Sequence, residues 1–227
     1  QLQQIIDLKT KPLGALGRLE TLAVQLGMIQ GTTTPHIEQP QIRVFAADHG
    51  LTKHGTSAFP SAVTAQMVYN FLQGGAAINV LARQHNIELK VVDAGVDADF
   101  APHPQLLDYK VRYGSRDALT EPAMTAAECL AALENGMEVV KNLAGNLLIV
   151  GEMGIGNTTT SSAILSALTN TPAKITAGKG GGLLDEAYLH KIEVIDGAIA
   201  KHKPDINDPI DVISKVGGLD IAAMCGV

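Results

Sequence analysis

The sequence contains no tryptophan, and aromatic residues make up only 4% of its 227 positions, whereas glycine occurs 23 times. Glycine lets the backbone turn tightly where a side chain would clash. Few aromatics and many glycines therefore favour an α/β protein, with short turns between strands and helices, over a β-sandwich.

Basic residues are also few. The chain has 17 Lys and Arg against 23 Asp and Glu, a net charge of -6, and no segment clusters basic side chains. A nucleic-acid partner requires a basic surface that neutralises phosphates, so this composition argues against that class of function. No apolar run is long enough to cross a bilayer, and we expect no membrane partner.

The two cysteines, Cys129 and Cys225, are far apart, and neither has another Cys or a His at the spacing of metal ligands. The pattern predicts no metal site and is typical of a reducing compartment, so we expect a cytoplasmic protein. Cys129 lies in an Ala-rich helical stretch, and we interpret it as a small buried apolar residue.

From Ile42 onward, short apolar segments alternate with segments of helical spacing, which predicts a mostly parallel sheet covered by helices on both faces. Residues 1–30 carry a helical pattern interrupted at Lys11–Gly14, and residues 31–40 are polar and rich in turn residues. The predicted strands are Ile42–Ala47, Leu89–Val92, Lys110–Tyr113 and Leu147–Val150. The predicted helices are Ser61–Gln84, Met124–Leu143 with Thr125 as its N-cap, Asn157–Leu168, Asp185–His202, and two that begin near Asp211 and Leu219.

Three of these strands end at a carboxylate close to a glycine: Asp48, Asp93 and Glu152. In a parallel sheet the ligand binds beyond the carboxyl ends of the strands. We therefore expect the functional site at this edge.

The segment Gly151–Thr160 follows a predicted strand and opens a predicted helix. Its three glycines let the backbone approach a ligand, and the free N–H groups of a helix N-terminus favour an anion. The spacing resembles a P-loop, but Asn157 occupies the position of that motif's lysine. We predict a monophosphate ligand rather than a triphosphate, and the alternative is a tight structural turn.

A second glycine cluster, Thr176–Gly182, precedes a helix that carries Lys191. Either Lys179 or Lys191 is long enough to reach a phosphate as a point charge. The alternative is a flexible linker, which glycine runs often form.

Two further sets of side chains are candidates for a functional role. We interpret Asp48 and His49 as a structural hydrogen-bonded pair rather than a catalytic one. Gln66 is a candidate for orienting a flat heterocycle through its amide, although a plain surface position is the alternative.

Seven segments, in order along nearly the whole chain, resemble the nicotinate-nucleotide–dimethylbenzimidazole phosphoribosyltransferase family. They are Lys11–Glu20, Ala47–Gly50, Val63–Val68, Gly74–Arg83, Val92–Val96, Gly151–Thr160 and Val216–Met224. The resemblance implies a Rossmann-like sheet in residues 41–227, with residues 1–40 contributing to a small helical second domain. It also implies a homodimer and a reaction without metal or other cofactor.

The resemblance implies transfer of phosphoribose from nicotinate mononucleotide to 5,6-dimethylbenzimidazole. The products are nicotinate and α-ribazole 5′-phosphate, which supplies the lower ligand of cobalamin. Glu152 is implied as an auxiliary carboxylate near the transferring ribose. The implied phosphate and ribose ligands are Gly154, Gly156, Asn157, Thr158 and Lys191, and the implied base-binding residues are Gln66 and Met153.

The sequence departs from the family pattern at two points. The family's general base is a glutamate in a C-terminal glycine-rich stretch, which we expect beyond Val227. Gly178–Gly182 also lacks the Arg and Thr expected within that cluster. Two alternatives stay open. One is a non-catalytic phosphate- or base-binding homologue or an inactive fragment that lacks the C-terminal base, and the other is a P-loop-like nucleotide hydrolase.

Overall fold

The computed structural model describes residues Gln1–Val227, which form one four-stranded sheet and ten α-helices. The strands are β1 (Gln41–Ala47), β2 (Glu88–Gly95), β3 (Leu106–Asp108) and β4 (Leu148–Met153). All pairs are parallel and the spatial order is β3-β2-β1-β4, so the predicted α/β architecture is confirmed. The helices are α1 (Leu2–Asp7), α2 (Arg18–Gln30), α3 (Ala62–Leu72), α4 (Ala77–Gln84), α5 (Ala126–Val140), α6 (Asn157–Thr169), α7 (Ala173–Thr176), α8 (Asp185–His202), α9 (Pro209–Val216) and α10 (Leu219–Cys225).

Strand β1 is buried along its whole length and divides its side chains between two cores. Because neighbouring residues of a strand point to opposite faces, Phe45 and Ala47 pack into one core with residues of α5 and α10. Val44 and Ala46 pack into the other core with residues of α3 and α4. Helices therefore cover both faces of the central strands.

A third apolar cluster joins α6, α7, α8 and α9, with Ala163, Ile195 and Val212 among its fully buried members. Helix α6 begins four residues after β4 ends, so its N-terminus lies at the carboxyl edge of the sheet. None of the helices combines the length and apolar composition that a membrane crossing requires.

The predicted single helix over 61–84 is wrong, because the chain forms α3 and α4 with a break between them. Gly74 adopts φ 76° after the end of α3. Asn79 then fixes the second start: its amide donates to the Phe71 carbonyl at 3.0 Å and its Oδ1 accepts from the Ala76 N–H. Apolar spacing continues through the break, so periodicity alone does not reveal it.

The predicted strand Lys110–Tyr113 is also wrong, since the third strand is Leu106–Asp108. Lys110 has a different role. Its Nζ lies 2.7 Å from Asp93 Oδ2 and donates to the carbonyls of Val96 and Ala98. The lysine thus ties the chain after β2 to the carboxylate at the end of that strand.

Helix α5 begins with the predicted N-cap. Thr125 Oγ1 accepts from the Glu128 N–H at 3.1 Å, and the Glu128 carboxylate accepts from the Thr125 N–H at 2.7 Å. Arg116 also donates to both carboxylate oxygens of Glu128. The Arg116 guanidinium lowers the pKa of Glu128 to about 2 from an ordinary value of 4.5.

We expect Glu128→Gln to reduce the free energy of unfolding at pH 7 by about 2 kcal/mol, because a charge-assisted pair is lost. A depressed carboxyl pKa contributes stability that is complete above the ordinary pKa and is lost as pH falls toward the folded value. The difference between the two proteins should therefore shrink between pH 4.5 and pH 2. Urea unfolding across that range measures it, with Glu134→Gln, an exposed change in the same helix, as control. A constant difference at all pH values would contradict this assignment.

Candidate functional site

The carboxylates predicted at the strand ends have different surroundings. Asp93 is paired with Lys110. Asp48 Oδ2 accepts from the Asp97 N–H at 2.8 Å, whereas its Oδ1 is buried without a hydrogen-bond partner. Burial raises the pKa of the Asp48 carboxyl. Glu152 lies inside β4 rather than after it, opposite Phe45 of β1, and the residue is exposed.

The loop between β4 and α6 contains Gly154 and Gly156, as predicted from the glycine spacing. Gly156 adopts φ 92° at the N-cap of α6, a conformation that favours glycine. Thr64 of α3 fixes the middle of the loop, because its Oγ1 accepts from the Ile155 N–H at 3.0 Å. Asn157 and Thr158 are the first two residues of α6. The Asn157 N–H donates to the Gly154 carbonyl at 3.0 Å, whereas the Thr158 N–H is left free at the helix start.

Lys191 of α8 reaches this helix start with its side chain. The residue is completely buried, and its Nζ donates to Thr158 Oγ1 at 2.9 Å and to the Gly178 carbonyl at 3.0 Å. No carboxylate pairs with it, and burial lowers the pKa of its ammonium group. A buried cation without an anionic partner is costly, so an anion bound beside it would be stabilised.

The second glycine cluster meets the first at Lys191. A side chain at Gly180, which adopts φ 56°, would place its Cβ 2.9 Å from Thr158 Oγ1 and 3.7 Å from Lys191 Nζ. Lys179, the other candidate, is exposed and pairs with Asp185 at 2.5 Å. Of the two lysines, Lys191 is the one that lies against the start of α6.

The ionisation of Glu152 depends on neighbouring buried groups. Partial desolvation raises the pKa of its carboxyl, and the Asp220 carboxylate raises it further, while His49 lowers it. Glu152 pairs with Phe45, whose side chain packs in the core with residues of α10, so the Glu152 side chain lies on the face of the sheet that α10 covers.

The interpretation of Asp48 and His49 as a hydrogen-bonded pair is wrong. His49 Nε2 lies 3.2 Å from Asp220 Oδ2, and its Nδ1 lies 3.0 Å from Thr160 Oγ1. Asp220 and Thr160 received no role from the sequence. Asp220 is 171 positions from His49, and no local pattern signals their contact.

The two predicted base-binding residues differ in placement. Gln66 is exposed on α3, and Met153 packs at the border of the core between the sheet and α3. An open, mainly apolar groove of about 290 Å³ lies between this helix, the start of α4 and β4. The groove is lined by Met67, which follows Gln66, and by Glu152, which precedes Met153. Its other lining residues are Val44, Phe71, Ala76, Ala77, Ile78 and Gly151. A mainly apolar lining with few polar groups is typical of small-molecule sites.

A family model and individual relatives point to the same kind of protein. A family model described as "Phosphoribosyltransferase" matches residues 1–227. The chain is 50% identical over 228 residues to the nicotinate-nucleotide--dimethylbenzimidazole phosphoribosyltransferase of Janthinobacterium sp. (strain Marseille), covering 100% of this chain and 66% of that protein. It is 48% identical to the protein of the same name from Roseiflexus castenholzii, covering 97% of this chain and 64% of that protein.

A solved structure has the same fold. The crystal structure of CobT from Thermus thermophilus superposes with a TM-score of 0.91 at 38% sequence identity, over 99% of this chain and 68% of that chain. The chain spans about two thirds of the length of these relatives.

Proposed function

This chain belongs to the phosphoribosyltransferase family whose model matches residues 1–227, and on that premise we propose a specific transfer reaction. Phosphoribose moves from nicotinate mononucleotide to 5,6-dimethylbenzimidazole, which yields nicotinate and α-ribazole 5′-phosphate for the lower ligand of cobalamin. The names of the relatives from Janthinobacterium and Roseiflexus support this choice of substrates.

The single observation that carries the proposal is the buried Lys191 ammonium. It lies against Thr158 at the start of α6 and lacks an anionic partner. A phosphate monoester bound there gains the lysine charge and the free N–H groups of the helix start. We assign the phosphate and ribose to Gly154, Gly156, Asn157, Thr158 and Lys191.

The proposed reaction requires little acid–base chemistry. Nicotinate in its mononucleotide is a pyridinium, so when its bond to C1 of the ribose breaks, the electron pair neutralises the ring nitrogen and no general acid is needed. One benzimidazole nitrogen attacks C1 from the opposite side, and the proton on the other nitrogen passes to a carboxylate base. We assign that base to the family's C-terminal glutamate, and Glu152 to an auxiliary contact with the ribose.

The base-binding surface is proposed in the groove beside β4. Gln66 and Met153 are assigned to its border, and Met67 and Phe71 supply apolar contacts inside it. Positioning of the two rings on either side of C1 then accounts for most of the rate enhancement.

Three broader assignments complete the proposal. Residues 1–40 belong to a small helical domain, and residues 41–227 form the Rossmann-like domain. The protein acts as a homodimer. Exposed apolar side chains of the N-terminal segment support this assignment, among them Leu13, Leu19 and Met28. Two free cysteines support a cytoplasmic location.

The test compares three ligands on this chain by calorimetry and hydrogen exchange. We expect nicotinate mononucleotide to bind at least about tenfold more tightly than nicotinate riboside, because only the former has the phosphate. It should also protect residues 154–160 and 178–182 from exchange, whereas nicotinate should not. Equal affinity of nucleotide and riboside would overturn the phosphate assignment.

Two further measurements separate the alternatives. A P-loop-like hydrolase predicts Mg²⁺-dependent binding of ATP, which we do not expect. Turnover is measured on the protein as its gene encodes it, and α-ribazole 5′-phosphate is the expected product. Binding of the nucleotide without that product would favour the non-catalytic alternative.

A further inference from the structure

His49 is a buried polar residue at the carboxyl edge of the sheet. Its side chain is completely buried, and each ring nitrogen has one partner. The partners come from two other elements: Thr160 belongs to α6 and Asp220 to α10. The imidazole thus joins the end of β1 to the two helices that pack at this edge.

Two glycines allow the backbone to approach this ring from different sides. A side chain at Gly154 would place its Cβ 2.7 Å from His49 Nε2, and one at Gly218 would place its Cβ 2.5 Å from His49 Cε1. Both distances are shorter than any side-chain contact allows. The loop that begins at Gly154 therefore rests directly on the imidazole.

The partner of His49 is a buried carboxylate. Asp220 is completely buried, and its Oδ1 accepts from the Ile221 N–H at 2.8 Å, while Oδ2 faces the imidazole. No Lys or Arg pairs with this carboxylate, and a buried carboxylate without a cation is strongly disfavoured. Burial alone lowers the pKa of the imidazole, but Asp220, with Asp48 and Glu152, raises it above the ordinary value.

We propose that His49 is a positioning residue for the phosphate loop. Paired with Asp220, its imidazolium supports the backbone at Gly154 and holds a positive charge beside Glu152. His49 is buried beneath the loop, and the proposal assigns it no contact with the substrate. The effect of His49 on the reaction rests on the proposed function. The imidazolium keeps Glu152 ionised where the transferring ribose binds, and it fixes the direction of the N–H groups of the loop.

The first measurement uses the unaltered chain. We expect ¹⁵N NMR at pH 7.5 to show both ring nitrogens of His49 protonated. A single protonated nitrogen at that pH overturns the proposal, and no variant is needed to obtain this result.

The second measurement follows the titration of the Glu152 carboxyl carbon by ¹³C NMR. In His49→Gln the Asp220 charge remains and the imidazolium is lost, so the pKa of Glu152 should rise by about one unit. In the double variant His49→Gln with Asp220→Asn both charges are removed, and the pKa should return close to its original value. A role in packing alone predicts no such return. A double variant that titrates like His49→Gln, or equal titration in all three proteins, overturns the proposal.

Binding of nicotinate mononucleotide distinguishes this inference from the proposed function. If both proposals hold, His49→Gln binds the nucleotide more weakly, and the double variant recovers part of the loss. If no protein binds the nucleotide while Glu152 titrates as described, the pair acts on Glu152 and the proposed substrate is wrong.

Discussion

A chain with Lys191→Met is expected to lose about a hundredfold in affinity for nicotinate mononucleotide, because a charge-assisted contact to the phosphate disappears. The same variant should unfold at no lower temperature than the unaltered chain. Lys191 is fully buried without a carboxylate partner, so removal of its charge relieves a desolvation cost that offsets two lost hydrogen bonds. Loss of binding without loss of stability is the signature of a ligand-binding cation.

The stability effect has a defined pH dependence. Burial lowers the pKa of Lys191 in the folded chain. At pH values between this lowered pKa and the ordinary lysine pKa, the unfolded chain therefore binds more protons than the folded chain does. Stability contributed by the native lysine therefore rises with pH through that window. The gain in stability from Lys191→Met should be largest below this pH window and disappear above the ordinary lysine pKa.

Calorimetric titration and thermal unfolding measure the two effects. Lys179→Met is the matched control, because Lys179 lies in the same glycine-rich region but is exposed and pairs with Asp185. Its affinity for the nucleotide should stay within about threefold of the original, as expected for a surface ion pair. Wild-type affinity in Lys191→Met would remove the main support for the phosphate site.

The sequence predicts the regular elements well where a local pattern determines them. Helix α8 begins and ends at the predicted residues, and Thr125 caps α5 through a bond to the backbone three positions later. The break between α3 and α4 is not predicted, because Ile78 and Leu81 continue the apolar spacing of the preceding helix. The two consecutive glycines before Ala76 are the local signal of that break.

The candidate site is only partly predictable. The loop at Gly154 follows from strand, glycine and helix patterns that are contiguous in the chain. The contact of Lys191 with Thr158 joins residues 33 positions apart, and only the family resemblance indicates it. The bond between His49 and Asp220 depends on how α10 packs on β1, and no local pattern encodes that packing.

The other large effect is expected for Gly154→Ala. The added methyl group would overlap the Ala47 carbonyl oxygen and lie 2.7 Å from His49 Nε2, so β4, β1 or the imidazole must move. Overpacking of this kind costs about 1–3 kcal/mol of the free energy of unfolding. Displacement of the loop N–H groups should also weaken binding of nicotinate mononucleotide by about tenfold or more.

Gly151→Ala is the matched control for this change. It adds the same methyl group three residues earlier, within β4, where nothing lies within 4 Å of the new carbon. Because Ala restricts the unfolded chain more than Gly does, this variant should be neutral or more stable by up to about 1 kcal/mol. Urea unfolding of both variants provides the comparison, and calorimetric titration is applied to Gly154→Ala alone, because Gly151 itself lines the proposed base-binding groove. If both behave alike, the loop has room to adjust, and neither the close packing on His49 nor its support of the phosphate site can be maintained.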